Sequence, residues 1–165
     1  MIVIVFGVSG AGKTTIGKLL AKDLGWQFYE ADDFHSRASL EKMRNGHPLS
    51  DEDRGPWLER LRRQIARSLD ASENAVVACS ALKRRYREKL RVSDDVKFVF
   101  LRGDYAVVEK QLRGRTRHFM NPELLKSQFA DLEEPQLDED AVTIQLGRTP
   151  EALVEEIKTR LRLSR

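Results

Sequence analysis

Eight residues, Gly7-Val8-Ser9-Gly10-Ala11-Gly12-Lys13-Thr14, constrain this chain more than any others. They spell glycine, four residues, glycine, lysine and a hydroxyl residue, a spacing that lets backbone N–H groups converge on phosphate oxygens at the start of a helix. The flanks agree with that geometry. The apolar run Ile2 to Phe6 precedes the loop, and Ile16, Leu19, Leu20 and Leu24 follow it at helical spacing. Small residues are required because the backbone must curl round an anion at close range. Lys13 is expected to reach the β and γ phosphates of a nucleotide and Thr14 to place its hydroxyl on Mg²⁺. Thr15, in the same helical turn, completes the nucleotide-contacting set of Gly7, Val8, Ser9, Gly10, Ala11, Gly12, Lys13 and Thr14.

Short apolar runs recur along the chain at Ile2 to Phe6, Trp26 to Glu30, Ala75 to Cys79, Lys97 to Leu101 and Val142 to Gln145. Helical periodicity predicts Lys13–Leu24, Leu40–Arg44, Asp51–Leu69, Lys83–Val92, Asp104–Arg113, Pro122–Leu132 and Pro150–Leu163 between and after them. Such alternation builds strand-helix-strand units around a parallel sheet, and strands that are apolar throughout are covered on both faces. The expected class is α/β with a five-stranded parallel sheet. With 165 residues, 41% of them hydrophobic, the chain can bury one core, so a single domain over 1–165 is expected. Its one cysteine, Cys79, cannot form an internal disulfide and points to a reducing compartment, the cytoplasm. No apolar run approaches the roughly 18 residues of a membrane span, and the opening run lacks the basic start of a signal peptide. No membrane partner is expected.

The segment Glu30-Ala31-Asp32-Asp33-Phe34-His35 follows the second strand, at the carboxyl edge where open parallel sheets bind ligands. While strand geometry persists, Glu30 and Asp32 point the same way. One carboxylate can then hold the waters of a metal ion and the other an acceptor hydroxyl. Asp32 is the candidate base and Glu30 the water-mediated metal contact. His35 reads either as a hydrogen-bond partner for a polyol or as a structural histidine. His35, His47 and His118 share no metal-ligand spacing, so no transition-metal site is expected.

The loop alone leaves motors, GTPases, ATPases and small-molecule kinases open. A guanine-reading Asn-Lys-x-Asp segment is absent, and the third strand ends in Cys79-Ser80 where an ATPase would carry a metal-ordering aspartate. Both absences favour a compact kinase. Net charge is only +3, but Arg54 to Arg91 holds 11 basic residues against 4 acidic. That middle segment reads either as a funnel for small anions or as solvated helix faces.

Four segments together resemble the gluconokinases of the small, bacterial-type class within the shikimate-kinase-like P-loop kinases. They are the phosphate loop; Asp32 to Trp57, with Gly46-His47-Pro48-Leu49 and Asp51-Glu52-Asp53-Arg54-Gly55-Pro56-Trp57-Leu58; Cys79-Ser80-Ala81-Leu82-Lys83-Arg84-Arg85-Tyr86-Arg87; and His118-Phe119-Met120 leading to Ser127-Gln128-Phe129 and Leu132-Glu133-Glu134-Pro135. The resemblance covers nearly the whole chain. It implies a three-layer P-loop kinase fold with a mobile lid at about 113–121, ATP and Mg²⁺ as cofactors, and phosphorylation of the terminal hydroxyl of D-gluconate. It further implies that Arg54, Lys83 and Arg84, with Asp32 and His35, bind the sugar acid. Arg115 becomes the lid arginine that steadies charge on the transferring group, and Arg113 flanks the nucleotide base. A homodimer is implied by the resemblance alone. Four positions depart from the family pattern: Glu30-Ala31-Asp32 stands for the common Asp-Gly-Asp, Ser36 for a frequent proline, and Arg117 for a frequent lid glycine. Trp57 is read as core rather than as a sugar platform.

Two rivals follow from the same residues. One is another small-molecule kinase, for shikimate or a nucleotide, against which Cys79-Ser80-Ala81 stands where a shikimate kinase should show a glycine run. The other is a nucleotide-dependent nucleic-acid-binding module. No nucleic-acid-binding motif is present and few aromatics interleave the basic residues, so no nucleic-acid partner is expected.

Overall fold

The computed structural model describes residues 1–114 and 122–165. Arg115, Arg117, His118, Phe119 and Met120, on which most of the lid expectation rests, lie outside the described residues. In chain order the elements are β1 (Ile2–Phe6), α1 (Lys13–Leu24), β2 (Gln27–Glu30), α2 (Arg37–Arg44), α3 (Asp51–Asp70), β3 (Ala75–Cys79), α4 (Arg84–Leu90), β4 (Val96–Arg102), α5 (Tyr105–Arg113), α6 (Pro122–Asp131), β5 (Ala141–Gln145) and α7 (Pro150–Leu161). Short 3₁₀ turns occupy Ala31–Phe34 and Leu137–Glu139. The five strands are all parallel, in the order β2-β3-β1-β4-β5.

Alternation along β1 divides the core into two layers. Val3 and Val5 face α1 and α7, where Ile16, Leu20, Leu153, Val154 and Ile157 are buried. Ile2, Ile4 and Phe6 face α3 and α4, with Trp57, Leu61, Ile65 and Leu90. Since β1 and β3 are covered on both faces, all ten of their residues are buried, which is why both read as unbroken apolar runs. Cys79 ends β3 inside this layer, and burial pushes its thiol up to about 12, so it is a packing residue.

Capping sets several element ends. Ser50 and Asp53 form a reciprocal capping box at the start of α3, and Asp104 and Thr149 cap α5 and α7 with their side-chain oxygens. Ser36 caps α2, which therefore starts at Arg37 rather than at Leu40 as predicted. Lys83 is the N-cap of α4 rather than part of it. One expectation fails at the edge that carries the candidate site. Strand β2 stops at Glu30, and Ala31 opens a 3₁₀ turn, so Glu30 and Asp32 are not related by strand alternation. The cause is tertiary: Ala31 is fully buried, and its carbonyl accepts a 2.7 Å hydrogen bond from Trp57 Nε1, which turns the chain away from the sheet.

Candidate active site

The ends of β1, β2 and β3 bring the phosphate loop, the acidic turn and the β3–α4 connection to one edge of the sheet. The loop leaves β1 at Gly7, whose N–H donates to the Ser80 carbonyl at 3.3 Å. Gly10 and Gly12 have φ of 83° and 94°, the left-handed region that a side chain disfavours. Gly10 is needed for space as well, since a Cβ there would sit 2.5 Å from the Leu112 side chain of α5. Val8 and Ala11 are buried beneath the loop, and Thr15 is exposed on the first turn of α1. Lys13 reaches back across the loop, its Nζ 3.0 Å from the Val8 carbonyl. Ser9 N–H donates to Gln128 Oε1 of α6 at 2.6 Å.

Thr14 Oγ1 donates to Glu30 Oε2 at 2.5 Å. Burial, more than the neighbouring Asp32 charge, raises the Glu30 carboxyl above the ordinary range, against the lowering effect of the Thr14 hydrogen bond and of the Lys13 charge. Glutamate at position 30 thus reaches the loop threonine. A hydroxyl and a carboxylate are hard oxygen donors of the kind Mg²⁺ takes, so this pair fits the ion's expected place.

Asp32 projects from the 3₁₀ turn with 61% of its side chain exposed. His35 lies beneath it: His35 N–H donates to the Asp32 carbonyl at 3.1 Å, and its Nε2 is 3.8 Å from Asp32 Oδ1. The imidazole stacks on Trp57 with centroids 4.3 Å apart and only 4% of the side chain exposed. Burial lowers its pKa against the pull of Asp32, with the Arg54 charge adding to the lowering. The ring supports the turn from below, stacked on Trp57 with its Nε2 toward Asp32.

A cationic cluster surrounds Tyr86 of α4. The charged groups of Arg54, Lys83 and Arg85 lie 5.6, 6.0 and 5.3 Å from its ring centroid. Arg54 donates to the Tyr86 hydroxyl at 3.2 Å and lies 3.8 Å from Asp131. The Tyr86 hydroxyl donates to Asp51, which also pairs with Arg85 and Lys83; these contacts, the tyrosine bond foremost, hold the Asp51 carboxyl down at about 2. Arg54 and Lys83 thus come together as expected. Arg84 does not join them, because its guanidinium is taken by Asp138, at 3.0 and 2.8 Å, and by Glu88 at 2.9 Å. In this structure Arg84 therefore stands apart from the Tyr86 cluster. Arg113 is exposed and paired with Glu109 at 2.8 Å.

Tyr86, Asp51 and Gln128 were not singled out by residue-level reasoning. All three stood inside motif segments, the only signal available for them. A surface cleft of about 570 Å³ lies by Asp23, Lys158 and Arg165 at the far end of α1 from the loop. A smaller one, about 420 Å³, runs past Thr14, Glu30, Asp33 and Phe34.

The shikimate kinase family model matches residues 9–162. Among characterised proteins, the thermosensitive gluconokinase of Escherichia coli K12 is 46% identical over 87% of this chain and 78% of its own length. A sugar kinase from Janibacter sp. HTCC2649 superposes with a TM-score of 0.92 at 42% identity, covering 99% of this chain and 95% of that one. A gluconokinase from Sinorhizobium meliloti 1021 superposes at 0.83 with 36% identity, covering 97% and 94%. This chain belongs to the gluconokinase family. It therefore shares the parallel P-loop kinase architecture. Among the described residues no helix is long and apolar enough to cross a membrane.

Proposed function

We infer that this protein transfers the γ-phosphoryl group of ATP to the terminal hydroxyl of D-gluconate, giving 6-phospho-D-gluconate and ADP. The observation that carries the reading is the meeting, at one sheet edge, of a phosphate loop, an exposed carboxylate on a rigid turn and a cationic cluster. The loop amides and Lys13 hold the β and γ phosphates at the N-terminus of α1. Arg54 and Lys83 hold the sugar-acid carboxylate, the guanidinium by a planar two-point contact and the ammonium as a point charge. Asp32 accepts the proton of the attacking hydroxyl as its oxygen bonds the γ phosphorus and the bond to the ADP oxygen breaks. Bound Mg²⁺ would neutralise phosphate charge, with Thr14 as its protein ligand and Glu30 orienting that hydroxyl and the ion's waters. Arg115 supplies charge to the transferring group from the lid, and the enzyme works in the cytoplasm.

ADP release with Mg-ATP should be measured against D-gluconate, related sugar acids, shikimate, AMP and no acceptor. Selective turnover of gluconate is expected, falling about 10²–10³-fold in Lys13→Ala as one preorganised cationic donor is lost. Preference for shikimate or AMP would replace the acceptor. Silence across the panel with ATP still bound would favour a binding module. A separate expectation concerns Glu30. Since it orients a metal-binding hydroxyl, Glu30→Gln should cost about 10–100-fold in activity at limiting Mg²⁺, partly restored at high Mg²⁺. An unchanged Mg²⁺ titration would remove Glu30 from the metal's surroundings.

A further inference from the structure

Helix α6 touches both halves of the site. At its middle, Gln128 Oε1 accepts the Ser9 N–H at 2.6 Å, bridging 119 residues of sequence to the tip of the phosphate loop. Near its end, Asp131 lies 3.8 Å from Arg54 of the acceptor cluster. Just beyond it, Glu133 N–H donates to the Leu82 carbonyl at 2.8 Å, and Glu133 Oε1 accepts from Arg84 N–H at 3.2 Å, on either side of Lys83. The helix is itself braced against α5, where Phe129 packs on Tyr105 with ring centroids 5.5 Å apart and Leu112 fills the space left by Gly10.

We propose that Gln128 is a positioning residue for phosphoryl transfer, holding the phosphate loop in register with the acceptor subsite through α6, and that its neutrality is as necessary as its hydrogen bond. A backbone N–H can only donate, so the acceptor end of the Gln128 amide faces Ser9. An aspartate or glutamate would be a stronger acceptor for that N–H. It would also set a negative charge beside a loop whose task is to collect a polyphosphate. Glutamine gives the acceptor without the charge. Loss of the bond frees the loop tip from α6, and displacement of reacting groups by about 1 Å is enough to cost roughly 10²-fold in turnover.

The inference rests on the kinase reading but not on the identity of the acceptor, so its test is read first on nucleotide alone. Equilibrium binding of Mg-ATP and Mg-ADP, thermal unfolding, and kcat and KM are measured for wild type, Gln128→Ala and Gln128→Glu. Gln128→Glu keeps the Ser9 bond, so its melting temperature should match or exceed that of wild type, while its affinity for Mg-ATP falls about tenfold or more through charge repulsion. Gln128→Ala should bind Mg-ATP within a few-fold of wild type and lose about 10–10²-fold in kcat with whichever acceptor of the panel is turned over. A purely structural bond predicts the opposite order, with the glutamate variant the less affected. Binding within twofold of wild type in Gln128→Glu, or unchanged kcat in a folded Gln128→Ala, would overturn the proposal. If gluconate were not the acceptor, the binding arm would still give its result.

Discussion

Asp32→Asn is expected to lower kcat with gluconate by about 10²–10⁴-fold, the usual contribution of a positioned general base, with no loss of fold. The side chain is 61% exposed and the replacement is nearly isosteric, so packing is undisturbed. The turn beneath it does not depend on the carboxylate. It is held by the Trp57 bond to the Ala31 carbonyl, by His35 N–H on the Asp32 carbonyl, and by the stacking of His35 on Trp57. Nucleotide affinity should therefore stay near wild type while turnover collapses. The measurement is single-turnover phosphoryl transfer alongside ATP titration and thermal unfolding. Turnover within a few-fold of wild type would refute the assignment of Asp32 as the base, even with gluconate as the acceptor.

Arg87→Ala should destabilise the protein by about 3–5 kcal/mol at neutral pH, the cost of removing one partner from a buried ion pair. Arg87 is 2% exposed and Glu139 8%. The guanidinium gives Glu139 two bonds, at 2.7 and 3.1 Å, and also donates to the carbonyls of Ala81, Leu82 and Glu133 at 2.9, 3.1 and 2.9 Å. It lies 5.0 Å from the Phe6 ring centroid as well. Those carbonyls belong to the β3–α4 connection and to the segment after α6, so one side chain ties together the two segments around Lys83. It also holds Ala81, a non-glycine residue, at a φ of 37°. Lysine cannot replace it, because no ammonium offers the same fork of donors.

The pH dependence has a definite sign. Burial pushes the Glu139 carboxyl up, but Arg87 and the Gln136 amide outweigh it and leave the pKa below the ordinary value. In the native protein this pair contributes stability at neutral pH that is lost as pH falls through the depressed pKa. Without Arg87 burial dominates, the pKa of Glu139 rises, and protonation relieves the variant. The difference in stability between wild type and Arg87→Ala should thus shrink as pH drops below the glutamate range. Denaturant unfolding at neutral and acidic pH reads both predictions. A loss under about 1 kcal/mol at neutral pH would mean that the segment relaxes to rehydrate Glu139.

How much of this was legible beforehand follows the range of the interactions. The phosphate loop and α1 were read to their boundaries because a glycine pattern, an apolar run and a helical stripe lie within 24 contiguous residues. The central strands β1 and β3 were recognisable because burial on both faces leaves no polar position to disguise them. Asp32 was singled out for its place after the second strand, but the alternation invoked to pair it with Glu30 does not apply: Trp57, 26 residues on, holds the Ala31 carbonyl where the strand gives way to a 3₁₀ turn. Arg54, Lys83 and Arg84 were grouped by motif, and nothing local told apart the two that flank Tyr86 from Arg84, whose guanidinium turns to Asp138.

The amino-acid sequence by itself determined that this protein is an α/β chain built to cradle phosphate, since glycine conformation, hydrophobic period and helix start are properties of neighbouring residues. Only the tertiary structure decided which side chains work with that cradle. Gln128 meets Ser9 across 119 positions, Arg87 meets Glu139 across 52 and Arg54 meets Tyr86 across 32. Partnerships at those separations depend on strand order and helix packing, so the residue types are written in the chain but their pairing exists only once the sheet has formed.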